Sequence, residues 1–187
     1  YVFLSSLGAL VLAAIAARRL AARAGAPRLA TAAGVAVLAA LAALTLQRGA
    51  AYRDEIAFAH AWVESSPRQG NAHATLGAAL ARVDRFDEAV PALRRAVELD
   101  PRLASAHYNL GAALARLGRT DEAIAAFRDA LAQWPADPDA RYALGVLLTR
   151  RGDDAGAALE LRRALALRPG WHEAEAALRR VTPAPAP

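Results

Sequence analysis

Apolar and small residues recur with a fixed period through the C-terminal two thirds of the chain. A Leu-Gly pair at 76–77 returns at 110–111 and again at 144–145, a step of 34 residues. Two further sets keep this step: the prolines Pro67, Pro101, Pro135 and Pro169, and the alanines Ala89, Ala123, Ala157, Ala96, Ala130 and Ala164. A fixed period of this length predicts an array of repeated units that bury their apolar faces by stacking on one another.

The register of Leu-Gly, Ala, an apolar residue (Leu93, Phe127 or Leu161), Ala and Pro resembles the tetratricopeptide repeat (TPR). The resemblance covers residues 70–171 as three repeats, at 70–103, 104–137 and 138–171. It implies an all-α superhelix of antiparallel helix pairs. First helices are expected near 71–83, 105–117 and 138–150, and second helices near 87–99, 121–133 and 155–167.

Several positions in each repeat have expected local roles. A glycine in each first helix is expected where a side chain would block the paired helix: Gly77, Gly111 and Gly145. Left-handed backbone is expected at the turns between paired helices: Asp84, Gly118 and Gly152. We expect Thr120 to cap its helix, Pro138 to occupy a first turn, and Pro91 to remove a backbone bond from a second helix or bend it.

The N-terminal third has a different pattern. Val2 to Ala17 and Leu29 to Leu46 are uncharged, and the loop 18–28 between them carries Arg18, Arg19, Arg23 and Arg28. As a helix the second run would span roughly 27 Å, which reaches the lower range for crossing a bilayer. Residues 1–47 therefore predict a transmembrane hairpin in contact with membrane lipid; a pair of buried helices in a soluble bundle is the alternative. Because the chain starts inside an apolar run, it is expected to be a piece of a longer protein.

The arginine loop also predicts an orientation. Short arginine-rich loops remain cytoplasmic, so everything after Leu46 is expected on the extracytoplasmic side, most simply the periplasmic face of a bacterial inner membrane.

Residues 48–69 are expected to form a connecting helix, near 50–66, in the place of a degenerate repeat. Residues 172–187 are expected to form a capping helix followed by an extended Pro-Ala tail.

Composition excludes several kinds of function. The net charge of +5 suggests nucleic-acid binding, but four arginines without an acid lie in residues 1–47, and residues 70–187 carry sixteen arginines against fifteen acids. The basic excess therefore lies in one short loop and the array is nearly neutral, so we expect no nucleic-acid partner. With no cysteine and no catalytic or phosphate-binding motif, we expect no enzyme activity, cofactor or metal in this chain. His73 and His107 share one repeat position and are expected to pack at the edge of the core.

The candidate site is a groove lined by the first helices, which in the TPR family holds a peptide. Residues 34 apart form rows along it, and the candidates are Thr75, Arg82, Tyr108, Asn109, Arg116, Tyr142 and Arg150. Aromatic rings and arginines together favour a peptide with acidic groups. The alternative is that the arginines only offset helix dipoles. Asn109 matches the asparagine of carboxylate-clamping TPR domains, but Ala74 and Ala78 replace that clamp's partners, so no clamp is expected.

A second resemblance covers the N-terminal third. Residues 1–6, 52–55 and 61–62, leading to Ser66-Pro67, are similar to the end of multispanning membrane glycosyltransferases that carry C-terminal TPRs (the transmembrane and TPR O-mannosyltransferase group). Three functions thus remain open. The first is a membrane-anchored TPR module that binds a peptide or protein outside the cytoplasm. The others are the acceptor-binding end of a membrane glycosyltransferase with a lipid-linked donor, and a soluble cytoplasmic co-chaperone.

Overall fold

A computed structural model of the chain describes residues 55–182 together with residues 34, 35 and 39. The predicted transmembrane hairpin and the Pro-Ala tail therefore lie largely outside the described residues. Among the helices that are described, none is both long enough and apolar enough to cross a membrane.

Residues 55–182 form eight α-helices and no strand. We label the helix at 55–65 α1. It is followed by α2 (Gly70–Arg82), α3 (Phe86–Leu99), α4 (Ala104–Arg116), α5 (Thr120–Gln133), α6 (Pro138–Arg151), α7 (Asp154–Leu167) and α8 (His172–Val181). The six helices α2 to α7 start and end within one residue of the ranges expected from the sequence. The architecture is the predicted all-helical TPR-type superhelix.

Close packing between paired helices depends on the glycine row. A Cβ at Gly111 would lie 2.9 Å from the ring of Phe127, and a Cβ at Gly145 would lie 2.8 Å from Leu161. Phe127 and Leu161 are among the largest fully buried side chains. Glycine in the first helix therefore leaves room for a large apolar side chain of the second helix to pack against the first helix's backbone.

The turns between paired helices have the predicted left-handed residue. Asp84 has φ 61°, Gly118 has φ 75° and Gly152 has φ 84°. Proline inside α3 does not interrupt the helix, which continues from Phe86 to Leu99 around an exposed Pro91. Asp137 caps α6 by accepting from the amides of residues 139 and 140, and Pro138 is at the first turn as expected.

The predicted capping role of Thr120 is wrong. Thr120 is the first residue of α5, and the N-cap position belongs to Arg119, with no side-chain cap hydrogen bond. The hydroxyl of Thr120 instead donates to the carbonyl of Gly118 at 3.4 Å. The reason lies in the turn: after Gly118 the Arg119 carbonyl already accepts the first helical bond, from the amide of Ala123.

Helices α1 and α8 cover the two ends of the array. Ala59 of α1 is fully buried, and Ile56 and Val63 pack against the same core. At the other end Ala174 and Val181 of α8 are buried, while Arg179 and Arg180 are exposed. Both helices therefore cover apolar surface that a terminal repeat would otherwise expose to water.

Candidate functional site

The first helices of repeats two and three, α4 and α6, line a groove of about 420 Å³. Each helix contributes a stripe of residues four apart, which therefore share one helix face. The stripe on α4 is Tyr108, Ala112 and Arg116; the stripe on α6 is Tyr142, Val146 and Arg150. The groove thus has tyrosines at one end, small and branched apolar residues in the middle, and arginines at the other end.

The aromatic end is built from both stripes and the last residue of repeat three. Tyr108 packs edge-on against Phe127, with ring centroids 5.4 Å apart. Tyr142 lies against Trp171, with centroids 4.6 Å apart. Tyr108, Tyr142 and Trp171 all line the groove. Together they form an aromatic surface on which an apolar side chain can pack.

An arginine that belongs to an ion pair also contacts Trp171. The guanidinium of Arg168 lies 4.4 Å from the centre of the Trp171 ring and donates to both carboxylate oxygens of Asp139, at 2.9 and 2.8 Å. This bidentate bond raises the pKa of Arg168. Burial, with smaller contributions from the nearby Asp139 and Asp137 carboxylates, raises the pKa of the Tyr108 phenol. Tyr108 therefore remains a neutral hydrogen-bonding group at physiological pH.

The cationic end differs between the two stripes. Arg116 donates to Asp84 at 2.9 Å and lies over the ring of Phe86, 4.6 Å from its centre. Arg150, at the same repeat position, has no carboxylate within salt-bridge distance in residues 55–182. The groove therefore contains one neutralised arginine and one arginine that no described acid neutralises.

The remaining sequence candidates lie elsewhere. Asn109 and Arg82 line a neighbouring cavity of about 510 Å³ between α2 and α4, which Arg116 also reaches. Arg82 is paired with Glu55 of α1. Thr75 donates to the carbonyl of Asn71 at 2.9 Å, within its own helix. Of the seven candidates, the groove between α4 and α6 brings together four: Tyr108, Arg116, Tyr142 and Arg150. That these residues bind a peptide stays a prediction.

Sequence reasoning missed Trp171, Asp139 and Arg168. Trp171 and Arg168 belong to no row of like residues, because their equivalents one repeat earlier are Asp137 and Trp134. The one signal for Trp171 was an aromatic residue just beyond Pro169, where the array ends. Its position in the groove depends on where α8 begins, which the period does not specify.

The repeat-equivalent residues His73, His107 and Arg141 share one contact. The ring nitrogen Nε2 donates to the Pro67 carbonyl in His73 and to the Pro101 carbonyl in His107, each at 3.0 Å. Arg141 donates to the equivalent carbonyl of Pro135, at 2.6 and 3.1 Å. These side chains therefore hold the loop that precedes each first helix. Within the described part of the chain no cluster of three or more histidines and acids could hold a metal ion.

The fold identifies the class of this protein, and a comparison with family models identifies its family. The stacked helix pairs define a helical repeat protein of the solenoid class. A family model described as tetratricopeptide repeat matches residues 74–138 and 113–170, which together span just over half of the chain. The chain belongs to the tetratricopeptide repeat family. No curated protein matches the chain in a direct search.

Solved structures share the same fold. The crystal structure of MamA superposes with a TM-score of 0.68 at 22% identity, over 72% of this chain and 79% of that one. YrrB, a TPR protein with an unusual peptide-binding site, gives a TM-score of 0.62 at 24% identity, over 94% of this chain and 86% of that one. The first TPR domain of Spaghetti (RPAP3), bound to the HSP90 peptide SRMEEVD, gives 0.58 at 21% identity, over 60% and 90%.

Proposed function

We propose that this TPR module binds a peptide segment of a partner protein in the groove between α4 and α6. The observation that carries the proposal is the pair of matched stripes, which place aromatic, apolar and cationic side chains in one open groove. Aromatic residues and arginine are the side chains that contribute most to protein recognition when they lie together. Two TPR neighbours of similar fold are associated with peptides, YrrB by its peptide-binding site and Spaghetti by its bound peptide.

A display experiment tests this proposal. Random peptides are selected on the full 187-residue chain and then measured against two variants. Val146→Glu places a charge in the middle of the groove and should abolish binding of the selected peptides. Leu159→Glu makes a comparable change at an exposed position of α7 and should leave binding unchanged. Selected peptides that bind the Val146→Glu variant as well as the wild type would place the binding surface elsewhere.

The proposal extends to a membrane anchor, which rests on sequence alone. Residues 1–47 contain two uncharged runs on either side of four arginines. On this basis we infer a lipid-embedded hairpin with the repeats on the extracytoplasmic side. The chain has no cysteine, so Thr120→Cys gives a single thiol for topology labelling in intact cells. Labelling by a membrane-impermeant reagent is expected, and protection of that thiol until the cells are lysed would contradict the orientation.

The acceptor-binding end of a membrane glycosyltransferase is a second candidate, favoured by the motifs at residues 1–6 and 52–55. Gene sequence upstream of Tyr1 that encodes many further spans and an acidic extracytoplasmic loop would support it. A cytoplasmic co-chaperone is the third, and it requires the uncharged runs not to enter a bilayer. Recovery of the chain in the soluble fraction after cell lysis would favour that candidate over the other two.

A further inference from the structure

The three arginines at equivalent positions in the last turn of the first helices differ in their ionic partners. Arg82 pairs with Glu55, and Arg116 pairs with Asp84 at 2.9 Å. Arg150 has the same place at the end of its helix and lines the groove, yet no described carboxylate pairs with it. An explanation based on helix dipoles alone does not account for this difference, since all three lie at equivalent helix ends.

The difference has a simple origin in the sequence. Asp84, the partner of Arg116, lies in the turn between α2 and α3, where its φ is 61°. One period later the same turn position, opposite Arg150, is Gly118, with φ 75°. Glycine is the less strained residue at a positive φ, but it has no side chain to neutralise an arginine. The turn is therefore kept, but within residues 55–182 no carboxylate pairs with Arg150.

The separation of Tyr142 and Arg150 along α6 determines how far apart a ligand's apolar and acidic side chains must be. Tyr142 and Arg150 are eight residues apart on one helix face, which is about 12 Å along the axis. Trp171 extends the aromatic surface beside Tyr142, and Val146 lies between the two ends. An extended chain rises about 3.3 Å per residue and its side chains alternate between two faces, so about 12 Å on one face corresponds to a spacing of four residues.

We propose that Arg150 determines specificity for an extended peptide in which a carboxylate side chain lies four residues from an apolar or aromatic one. The apolar side chain packs against Tyr108, Tyr142 and Trp171, and the carboxylate accepts from Arg150. This inference rests on the proposed function, because it assigns the ligand chemistry of the same groove. Arg116 contributes less, since Asp84 already neutralises it.

A peptide series tests the spacing. Each probe is a fluorescein-labelled Gly-Ser peptide with blocked termini that contains one phenylalanine and one glutamate. Across the series these two residues are placed one to eight positions apart. Binding to the full chain is measured by fluorescence anisotropy at low salt. Peptides whose two side chains are four positions apart are expected to bind most tightly, and those three positions apart more weakly, because their side chains point to opposite faces. Replacing the glutamate of the tightest-binding peptides with glutamine should weaken binding on the order of tenfold, the loss of one charge-assisted hydrogen bond.

Two pairs of variants test the arginine. Arg150→Gln should weaken the best glutamate peptide on the order of tenfold and leave its glutamine version unchanged, whereas Arg116→Gln should change either by less than about threefold. Gly118→Asp leaves Arg150 in place and supplies the carboxylate that Asp84 supplies to Arg116; it should also weaken the glutamate peptide on the order of tenfold. Gly118→Asn is the matched control, with the same backbone strain and no charge, and should bind like wild type.

Three results would overturn the inference. The first is tightest binding at a spacing of eight positions, which would indicate a helical ligand. The second is an equal effect of Arg150→Gln on the glutamate and the glutamine peptides. The third is no binding by any member of the series. The proposed function is judged separately by the display-selected peptides and the Val146→Glu variant. If those peptides need the groove but not Arg150, the groove binds peptides and the inference about Arg150 is wrong.

Discussion

Two rows of equivalent residues in this array behave in opposite ways. At the start of the first helices, His73, His107 and Arg141 differ in chemistry but make the same bond to a proline carbonyl. At the end of the same helices, the residue is always arginine but its partner changes: Glu55 for Arg82, Asp84 for Arg116, and no described acid for Arg150. The first row keeps a contact and varies the residue, and the second keeps the residue and varies the contact.

The comparison separates structural from recognition roles better than residue identity does. A contact that survives a change from histidine to arginine is one that the fold requires, since each loop before a first helix has a carbonyl that needs a donor. An arginine whose partner differs at every repeat is not required by the fold in the same way. Where no acid of the described residues pairs with such an arginine, as at Arg150, its charge is available for a ligand.

The largest effect should come from breaking the first row in repeat three. Arg141 is only 15% exposed in its side chain and bonds Glu160 at 2.7 Å as well as the Pro135 carbonyl. Arg141→Ala should lower the free energy of unfolding by about 2–3 kcal/mol, because Glu160 would keep only the more exposed Arg163 as partner. Urea unfolding of the full chain, followed by circular dichroism, measures this loss.

The matched control uses the residue of the other two repeats. Arg141→His keeps a donor for the Pro135 carbonyl and loses the bond to Glu160, so it should lose about half as much stability. An Arg141→Ala variant within about 0.5 kcal/mol of wild type would show that the carbonyl row is not structural.

The second effect tests the same row in repeat two. His107 is 9% exposed and donates to the Pro101 carbonyl at 3.0 Å. His107→Ala should lower the free energy of unfolding by about 1–2 kcal/mol, since a hydrogen bond and buried ring packing are both lost. Binding of the groove peptides should not change in conditions where the variant is fully folded. A weakened affinity with unchanged stability would assign His107 to recognition instead.

The period specified most of the fold, and for a physical reason. Each Gly77, Gly111 or Gly145 faces the side chain of its own second helix, so one repeat contains nearly all the information about its packing. The rows of equivalent residues that begin at His73 and Arg82 could also be recognised as candidates from the 34-residue spacing alone. Thr120 was misassigned because the helix begins one residue earlier after Gly118 than expected, so that Arg119 is the N-cap. The repeat spacing does not locate a helix start to a single residue.

The candidate site was less predictable because its asymmetry comes from contacts between repeats. Arg116 and its partner Asp84 are 32 residues apart, on different repeats, so their pairing is visible only when the array is folded. Trp171 and Tyr142 both belong to repeat three but are 29 residues apart, so their contact is also visible only in the folded array. Sequence rows therefore identified four of the residues that line this groove, and the fold showed which of its arginines has a carboxylate partner among the described residues.

The third prediction converts repeat two into the state of repeat three. Asp84→Gly removes the partner of Arg116 and places glycine at a positive φ, so stability should change by less than about 1 kcal/mol. Arg116 would then be available to a ligand, and a probe peptide with a second glutamate should bind about threefold more tightly. Anisotropy titrations measure this gain, with Asp84→Asn as a control that also removes the charge but keeps the strain. An affinity that stays at the wild-type value in both variants would show that pairing does not limit Arg116.

The smallest effect concerns the aromatic row, where Tyr108 contacts Phe127 and Tyr142 contacts Trp171. Burial raises the pKa of the Tyr108 phenol above its ordinary value near 10. The neutral phenol is therefore favoured in the folded state, and the stability it contributes is present below about pH 10 and lost as pH rises through the folded pKa. Absorbance at 295 nm should show a late-titrating component that Tyr108→Phe removes. If the wild type and Tyr108→Phe instead differ by a component titrating at or below about pH 10, Tyr108 is fully hydrated and does not belong to a packed aromatic surface.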